Sequence, residues 1–276
     1  MKHHQFITAM AFLLIAIVLV FYFTPPLKNL VTGKIHSLSD FFSTATSTPA
    51  AKTSIAGKTT GGVSPYSGKV KIESVAVGFD GGEQRLYLKS QVPLGQSVDV
   101  TGWRVITDTD TEYIPKVSPA YKSFLSEPPA DIVMKNGGLL VISSGLSPLV
   151  DNLRLNSCMG YLDAQYTFIP SLGTGCPRLT PAELSGVSGQ CRSYLASVPP
   201  CTTPDPLSLP GTVGDFSCRA TADKLNYDGC VSDHRNDNNF LLGEWRVWLG
   251  VPFMPYPHGA IVLKDANSLI VDRYYY

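Results

Sequence analysis

Apolar and polar residues alternate with a period of two along much of the chain after residue 69. Val70, Ile72 and Val75 frame a first strand, and residues 85–89 alternate across a second. Because successive side chains of a strand point to opposite faces, this alternation indicates strands with one buried face. The same pattern predicts further short strands at 98–100, 103–106, 111–114 and 139–142.

The C-terminal part of the chain returns to this alternation. Residues 245–249 alternate, and residues 260–265 and 269–276 form two strands on either side of the turn sequence Ala266-Asn267-Ser268. No stretch after residue 30 has a clear apolar repeat of 3.6 residues, so no helix is predicted there. Short strands separated by turn residues predict an all-β sandwich or barrel.

The longest apolar run lies at the N-terminus. Residues 7–23 contain no charged side chain, and about 17 apolar residues are the lower limit for a helix that crosses a bilayer. We expect an uncleaved transmembrane anchor at 6–24, preceded by a short cytoplasmic end at 1–5. A cleaved signal peptide is the alternative, but the large Tyr22 and Phe23 stand where its cleavage site needs small residues.

A segment of small, hydroxylated, Gly and Pro residues follows at 43–64. Such a segment buries too little apolar area to offset its chain entropy. We therefore assign 25–68 as a flexible linker and 69–276 as the folded head. Lysines on both sides of the anchor give only a weak orientation bias, so the compartment of the head is inferred from the cysteines below.

The charge balance excludes one class of partner. The chain has 22 Lys and Arg and 22 Asp and Glu, which gives a net charge of zero. Non-specific nucleic-acid binding needs an excess of cationic side chains, so we expect no nucleic-acid partner. The sequence also lacks the common motifs of hydrolases, zinc proteases and phosphate-binding loops.

Several short motifs occur in a fixed order along the predicted strands. They are the first strand at 70–75, Leu86-Tyr87-Leu88-Lys89, a strand that ends in Gly102-Trp103, Tyr113-Ile114-Pro115, a Gly-led strand at 138–142, and a closing pair at 261–265 and 270–275 that carries Asp265, Val271 and Asp272. In this order the motifs resemble the lamin-tail domain, a family with an immunoglobulin-like β-sandwich. The resemblance covers about 69–150 and 243–276.

The resemblance has two departures and carries an implication for function. The second strand of the family leads into Asn, where this chain has Ser90, and a segment at about 155–240 is inserted before the closing hairpin. The family is known for interaction, architecture and tethering, and its domain carries no recognised catalytic residues. The resemblance therefore implies a non-catalytic role without a metal or cofactor. Trp103 is expected in the core between two sheets.

All six cysteines fall within the inserted segment, at Cys158, Cys176, Cys191, Cys201, Cys218 and Cys230. An even number of cysteines in a Pro-rich region behind an anchor predicts a disulfide-rich loop insertion in an oxidising compartment. Six cysteines allow 15 pairings, and short loops favour neighbour pairs such as Cys191–Cys201. Zinc is the alternative, but Cys230 with His234 is the only ligand-like pair, and a tetrahedral site needs four ligands.

The most polar run of the chain lies at 233–239. A solvated loop is the simplest interpretation, because such residues dominate turns. If Asp233, His234, Asp237 and Glu244 converged in a cleft, they would support a surface hydrolase acting on envelope polymer. The oxygen-rich side chains would also suit calcium, although the run does not match an EF-hand loop.

These patterns predict a single-pass membrane protein with a signal anchor and an extracytoplasmic head at the cell surface. The head is expected to display its cysteine-rich insertion, because loops on a rigid frame supply recognition. The expected role is envelope attachment, adhesion or recognition of a protein or envelope polymer. A surface hydrolase and a calcium-dependent binding module remain the alternatives.

Overall fold

The computed structural model describes residues 62–78, 82–121, 128–173, 175–210 and 215–276. The predicted anchor at 6–24 lies outside these ranges, as does the linker up to residue 61. Within them, no helix is both long and apolar enough to cross a membrane. Strand residues outnumber helical ones there, which confirms a β-rich fold, but the helices between 159 and 234 correct the prediction of an all-β fold.

Eleven strands lie in the described ranges, and nine of them overlap a predicted strand. Only the short β6 and β8 have no predicted counterpart. The strands are β1 Val70–Ala76, β2 Arg85–Ser90, β3 Ser97–Asp99, β4 Arg104–Ile106, β5 Thr111–Tyr113, β6 Val133–Lys135, β7 Leu139–Ser143, β8 Leu153–Asn156, β9 Leu241–Trp248, β10 Ala260–Lys264 and β11 Ile270–Tyr275.

These strands form three sheets. The largest has the order β1-β2-β7-β9-β8, the next has the order β11-β10-β4-β5, and β3 pairs with β6. β7 and β9 are parallel, whereas the other paired strands are antiparallel. β8 is an edge strand, so the chain leaves the large sheet at one edge and returns to it as β9.

The two larger sheets share one hydrophobic core. Leu86 and Leu88 on β2, and Ile261 and Leu263 on β10, are fully buried in it. Trp103 is also buried in this core, as predicted. The alternation in β2 and β10 therefore separates a core face from an outer face.

The inserted segment is helical, which corrects the prediction of a loop insertion. Its helices are five to nine residues long, too short for a repeat of 3.6 residues to be recognised. Thr180, Ser188, Asp215 and Asn226 each accept a hydrogen bond from the first turn of a helix. The helices are α1 Met159–Gln165, α2 Pro181–Ser185, α3 Gly189–Ser197, α4 Phe216–Ala222 and α5 Tyr227–His234, with a 3₁₀ helix at Pro206–Ser208.

The insertion packs on the face of the large sheet that is opposite to the shared core. Leu153, Leu155 and Trp248 of β8 and β9 form a second apolar cluster with α1 and α5. Trp245 points instead into the shared core. The two tryptophans thus face opposite sides of β9, as their spacing predicts.

All six cysteines form disulfides, which confirms that part of the prediction. The pairing is not between neighbours, because two of the bridges interleave and both lie within the span of the third. The pairs are Cys158–Cys230, Cys176–Cys201 and Cys191–Cys218. The first joins the start of α1 to α5, and the last joins α3 to α4 within a third apolar cluster that includes Leu195 and Ala222.

Residues 62–68 pack against the closing hairpin, although the sequence placed them in the linker. The Ser64 amide donates to the Ile270 carbonyl at 2.8 Å, and the Ser64 hydroxyl donates to buried Asp265 at 2.6 Å. The Tyr66 ring lies 5.4 Å from that of Trp103. The folded unit therefore includes residues on the N-terminal side of 69.

Candidate ligand-binding groove

An open groove of about 560 Å³ lies where the insertion meets the large sheet. Its walls come from the end of β8 and the start of α1, from residues 172–173 and 175–177, and from the segment that joins α5 to β9. Polar side chains in the wall include Ser157, His234, Asp237 and Asn239. We refer to this feature as the insertion groove.

Asn156 fixes the β8 side of the insertion groove. Its side chain is buried, accepts a hydrogen bond from the Cys158 amide at 2.9 Å, and donates to the Tyr227 hydroxyl at 3.1 Å. The same hydroxyl donates to the Tyr121 carbonyl at 2.9 Å. One amide thereby links β8, α1 and α5.

Ser171 and Leu172, at the start of the groove's loop wall, are held from two sides. Asp163 on α1 accepts hydrogen bonds from the Ser171 hydroxyl and the Leu172 amide, both at 2.7 Å. Arg246, buried on β9, donates to the Ser171 carbonyl at 3.3 Å. Gly173 has a φ of +109°, which favours glycine at this bend. These contacts give the groove wall a defined shape.

His234 and Asp237 form a hydrogen-bonded pair at the rim of the groove. His234 Nδ1 lies 2.8 Å from Asp237 Oδ2, and His234 Nε2 lies 4.0 Å from Asp233 Oδ2. Because α5 ends at His234 and a turn follows, residue 237 folds back next to the ring. Asn239 and Ser157 make no side-chain hydrogen bond within the described part of the chain, so both can hydrogen-bond to a ligand.

A lysine joins α2 to α5 beside this pair. Lys224 Nζ lies 2.7 Å from Glu183 Oε1 and 3.0 Å from Asp233 Oδ1. Burial raises the pKa of Glu183, but hydrogen bonds from Lys224 and Thr180 outweigh this effect and lower the pKa to about 2. The hydrogen bond to Glu183 in turn raises the pKa of Lys224.

The structure brings together three of the four residues considered for a hydrolase. Asp233, His234 and Asp237 are neighbours, whereas Glu244 lies on β9 and forms an ion pair with Arg246. Asp233 and His234 lie on the helix α5 rather than in a loop.

The zinc alternative is wrong, because Cys230 is bridged to Cys158 and cannot act as a thiolate ligand. Across the described ranges, no group of three or more His, Cys, Asp or Glu side chains is placed to hold a metal ion.

The residues that carry the family resemblance stabilise the fold rather than line the groove. Gly102 has a φ of +73° before Trp103 enters the core, and Val271 is buried. Asp265 accepts hydrogen bonds from two backbone amides in the hairpin turn, at 2.9 and 3.0 Å. Asp272 accepts from the Ile72 amide at 2.8 Å and so links β11 to β1. None of these contacts lies in the wall of the insertion groove.

Sequence reasoning missed Asn156 and Ser157. Neither residue belongs to a motif, and they lie far along the chain from His234. A local signal existed for α2, because Thr180-Pro181-Ala182-Glu183 has the spacing of a capping box with Pro at the first helical position. No such local signal marks the insertion groove.

No protein-family model matches the chain, and searches of curated proteins and of solved structures find no match either.

Proposed function

We propose that the protein is a non-catalytic binding protein of the cell surface. In this proposal residues 6–24 anchor it in the membrane, and the head is an immunoglobulin-like β-sandwich of the lamin-tail type. The head displays the insertion for envelope attachment, adhesion or partner recognition. The observation that carries the proposal is a disulfide-linked helical insertion that forms an open groove together with the large sheet.

The disulfides support the proposed compartment. All six cysteines are paired, and such bridges persist in oxidising spaces outside the cytoplasm. A head on that side of the membrane requires the short N-terminal end to face the cytoplasm. This orientation agrees with a signal anchor at 6–24.

The size of the groove supports a binding role. Its volume of about 560 Å³ lies within the range of small-molecule sites. Disulfides between its helices restrict the motion of the groove wall. A ligand then pays a smaller entropy cost for ordering that wall when it binds. An insertion that merely covered the sheet edge would not need such an open concave surface.

A pair of adjacent leucines provides the test. Leu242 lines the groove, whereas Leu241 does not, and the two residues are 39% and 38% exposed. A photo-crosslinking amino acid replaces each in turn in the full-length protein in native membranes. The proposal expects a discrete adduct at 242 that is absent at 241. Equal labelling at both positions, or none at either, contradicts it.

One observation favours a second candidate, a surface hydrolase. With His234 Nδ1 held at 2.8 Å from Asp237, an Nδ1–H donated to that carboxylate would leave Nε2 as a base. The Ser157 hydroxyl lies in the same groove wall. A fluorophosphonate probe that labels Ser157, and does not label a His234→Ala variant, would support this candidate. Absence of labelling in the intact protein would remove serine nucleophilic catalysis.

A further inference from the structure

We propose that the insertion groove binds a segment of neutral oligosaccharide. This inference rests on the proposed binding function and names the chemical class of the ligand. It follows from the types of hydrogen-bonding groups, the apolar surface and the charge of the groove wall.

The polar side chains of the wall include both donors and acceptors. Ser157 can donate and accept, Asn239 carries an amide with both functions, and Asp237 has a second carboxylate oxygen beyond its contact with His234. Each sugar hydroxyl also both donates and accepts. A ligand rich in hydroxyl groups therefore suits this mixed set of side chains.

The described part of the wall also includes apolar side chains, none of them aromatic: Met159, Leu172, Pro177 and Leu242. Met159 and Leu172 are buried, whereas Pro177 is partly exposed and Leu242 is 39% exposed. The side chains of Pro177 and Leu242 can therefore cover the C–H face of a sugar ring and remove that face from water. Nucleobases and aromatic ligands would be expected to stack on aromatic side chains.

The charges favour a neutral ligand over an anionic one. Among the described residues no Lys or Arg lines the groove, whereas carboxylates and phosphates are held mainly by such side chains. The carboxylate of Asp237 would repel an anion.

An extended peptide fits this groove less well. Peptides commonly bind by adding a strand to a free sheet edge. At the start of β9 the Leu242 carbonyl already accepts a hydrogen bond from Arg154 Nε at 3.0 Å. The backbone next to the groove is thus engaged within the fold, and side chains must provide the recognition.

The test uses the full-length protein in detergent micelles and three soluble neutral hexasaccharides. The probes are the β-1,4-linked hexamers of glucose, mannose and N-acetylglucosamine, with hexagalacturonate as an acidic comparator. Binding is measured by isothermal titration calorimetry. The expected result is saturable binding of at least one neutral hexamer and no tighter binding of the acidic one.

Adjacent asparagines supply a matched pair of variants. Asn239→Ala removes a groove amide, and the expected result is binding weakened by about tenfold. Asn238 is exposed and lies outside the groove wall, so Asn238→Ala is expected to bind as the unmodified protein does. Equal melting temperatures of the two variants would show that both remain folded.

Several outcomes would overturn the inference. These are no binding of any neutral hexamer, tighter binding of hexagalacturonate, or equal weakening by the two asparagine variants. If the crosslink at Leu242 forms while no neutral hexamer binds, the saccharide inference fails and the binding function stands. If neither occurs, both proposals fail.

Discussion

Removing the charge of Lys224 is expected to destabilise the protein in a pH-dependent manner. Lys224 contacts carboxylates on α2 and α5. Burial raises the pKa of Glu183, but hydrogen bonds from Lys224 and Thr180 together lower it from 4.5 to about 2. A shift of that size corresponds to about 3 kcal/mol between pH 7 and very low pH. Thr180 supplies part of the shift, and about a third of the Lys224 side chain is exposed to solvent screening. The expected contribution of Lys224 is therefore about 1.5 kcal/mol.

The direction of the pH dependence follows from the lowered pKa. A carboxyl group with a lowered pKa in the folded state adds stability above its unfolded pKa, here 4.5 for Glu183. That stability is lost as pH falls through the folded pKa of about 2. Lys224→Met should therefore reduce the free energy of unfolding by about 1.5 kcal/mol at pH 7. Near pH 2 the difference between the variant and the unmodified protein should be small.

Urea unfolding followed by far-ultraviolet circular dichroism at pH 7, 4 and 2 measures this difference. The disulfides stay oxidised throughout, so that both proteins unfold to the same cross-linked chain. Lys71 on β1 is exposed and makes no ion pair within the described residues, so Lys71→Met controls for the loss of a lysine. The ion-pair explanation would be refuted if Lys224→Met lowered the free energy of unfolding by the same amount at pH 7 and pH 2. It would also be refuted if the decrease at pH 7 were no larger than that caused by Lys71→Met.

Three further predictions concern Trp103 in the core, the buried Asn156 side chain and one of the disulfides. Trp103→Ala should lower the free energy of unfolding by about 3–5 kcal/mol, and a loss below 1 kcal/mol in urea unfolding would contradict its core position. Asn156→Ala should cost about 1–3 kcal/mol, because the Cys158 amide loses its side-chain acceptor and the Tyr227 hydroxyl loses one hydrogen bond. Amide exchange should rise first in α1. Cys176 and Cys201 are only partly buried, unlike the other four cysteines, so mild thiol reduction and alkylation mapping should find this bridge opened first; simultaneous reduction of all three bridges would contradict that.

Much of the sheet could be predicted because its strands are amphipathic. In β2, three buried residues alternate with three partly exposed ones, and this period of two is visible in the sequence. β6 has three residues, as do β3, β4 and β5, which the sequence predicted, so its length does not explain why it was missed. β8 has four, and Leu155 and Asn156 are both buried, which breaks the alternation.

The helical insertion and its groove could not be predicted for different reasons. Helices of five to nine residues complete too few turns to display an apolar stripe. Much of the apolar surface of α1 and α5 is covered by β8 and Trp248, which are contacts that only the tertiary fold creates. The pairing of Cys176 with Cys201 likewise depends on where the helices place each sulfur and not on the spacing along the chain.

The insertion groove depends on both parts of the head. Ser157 and Leu242 reach it from the ends of β8 and β9, whereas Pro177, His234 and Asp237 reach it from the insertion. Neither set forms a concave surface alone, because each supplies one wall. In the proposed function the sheet is therefore more than a support, since detachment of the insertion from β8 and β9 would remove the insertion groove together with the second apolar cluster.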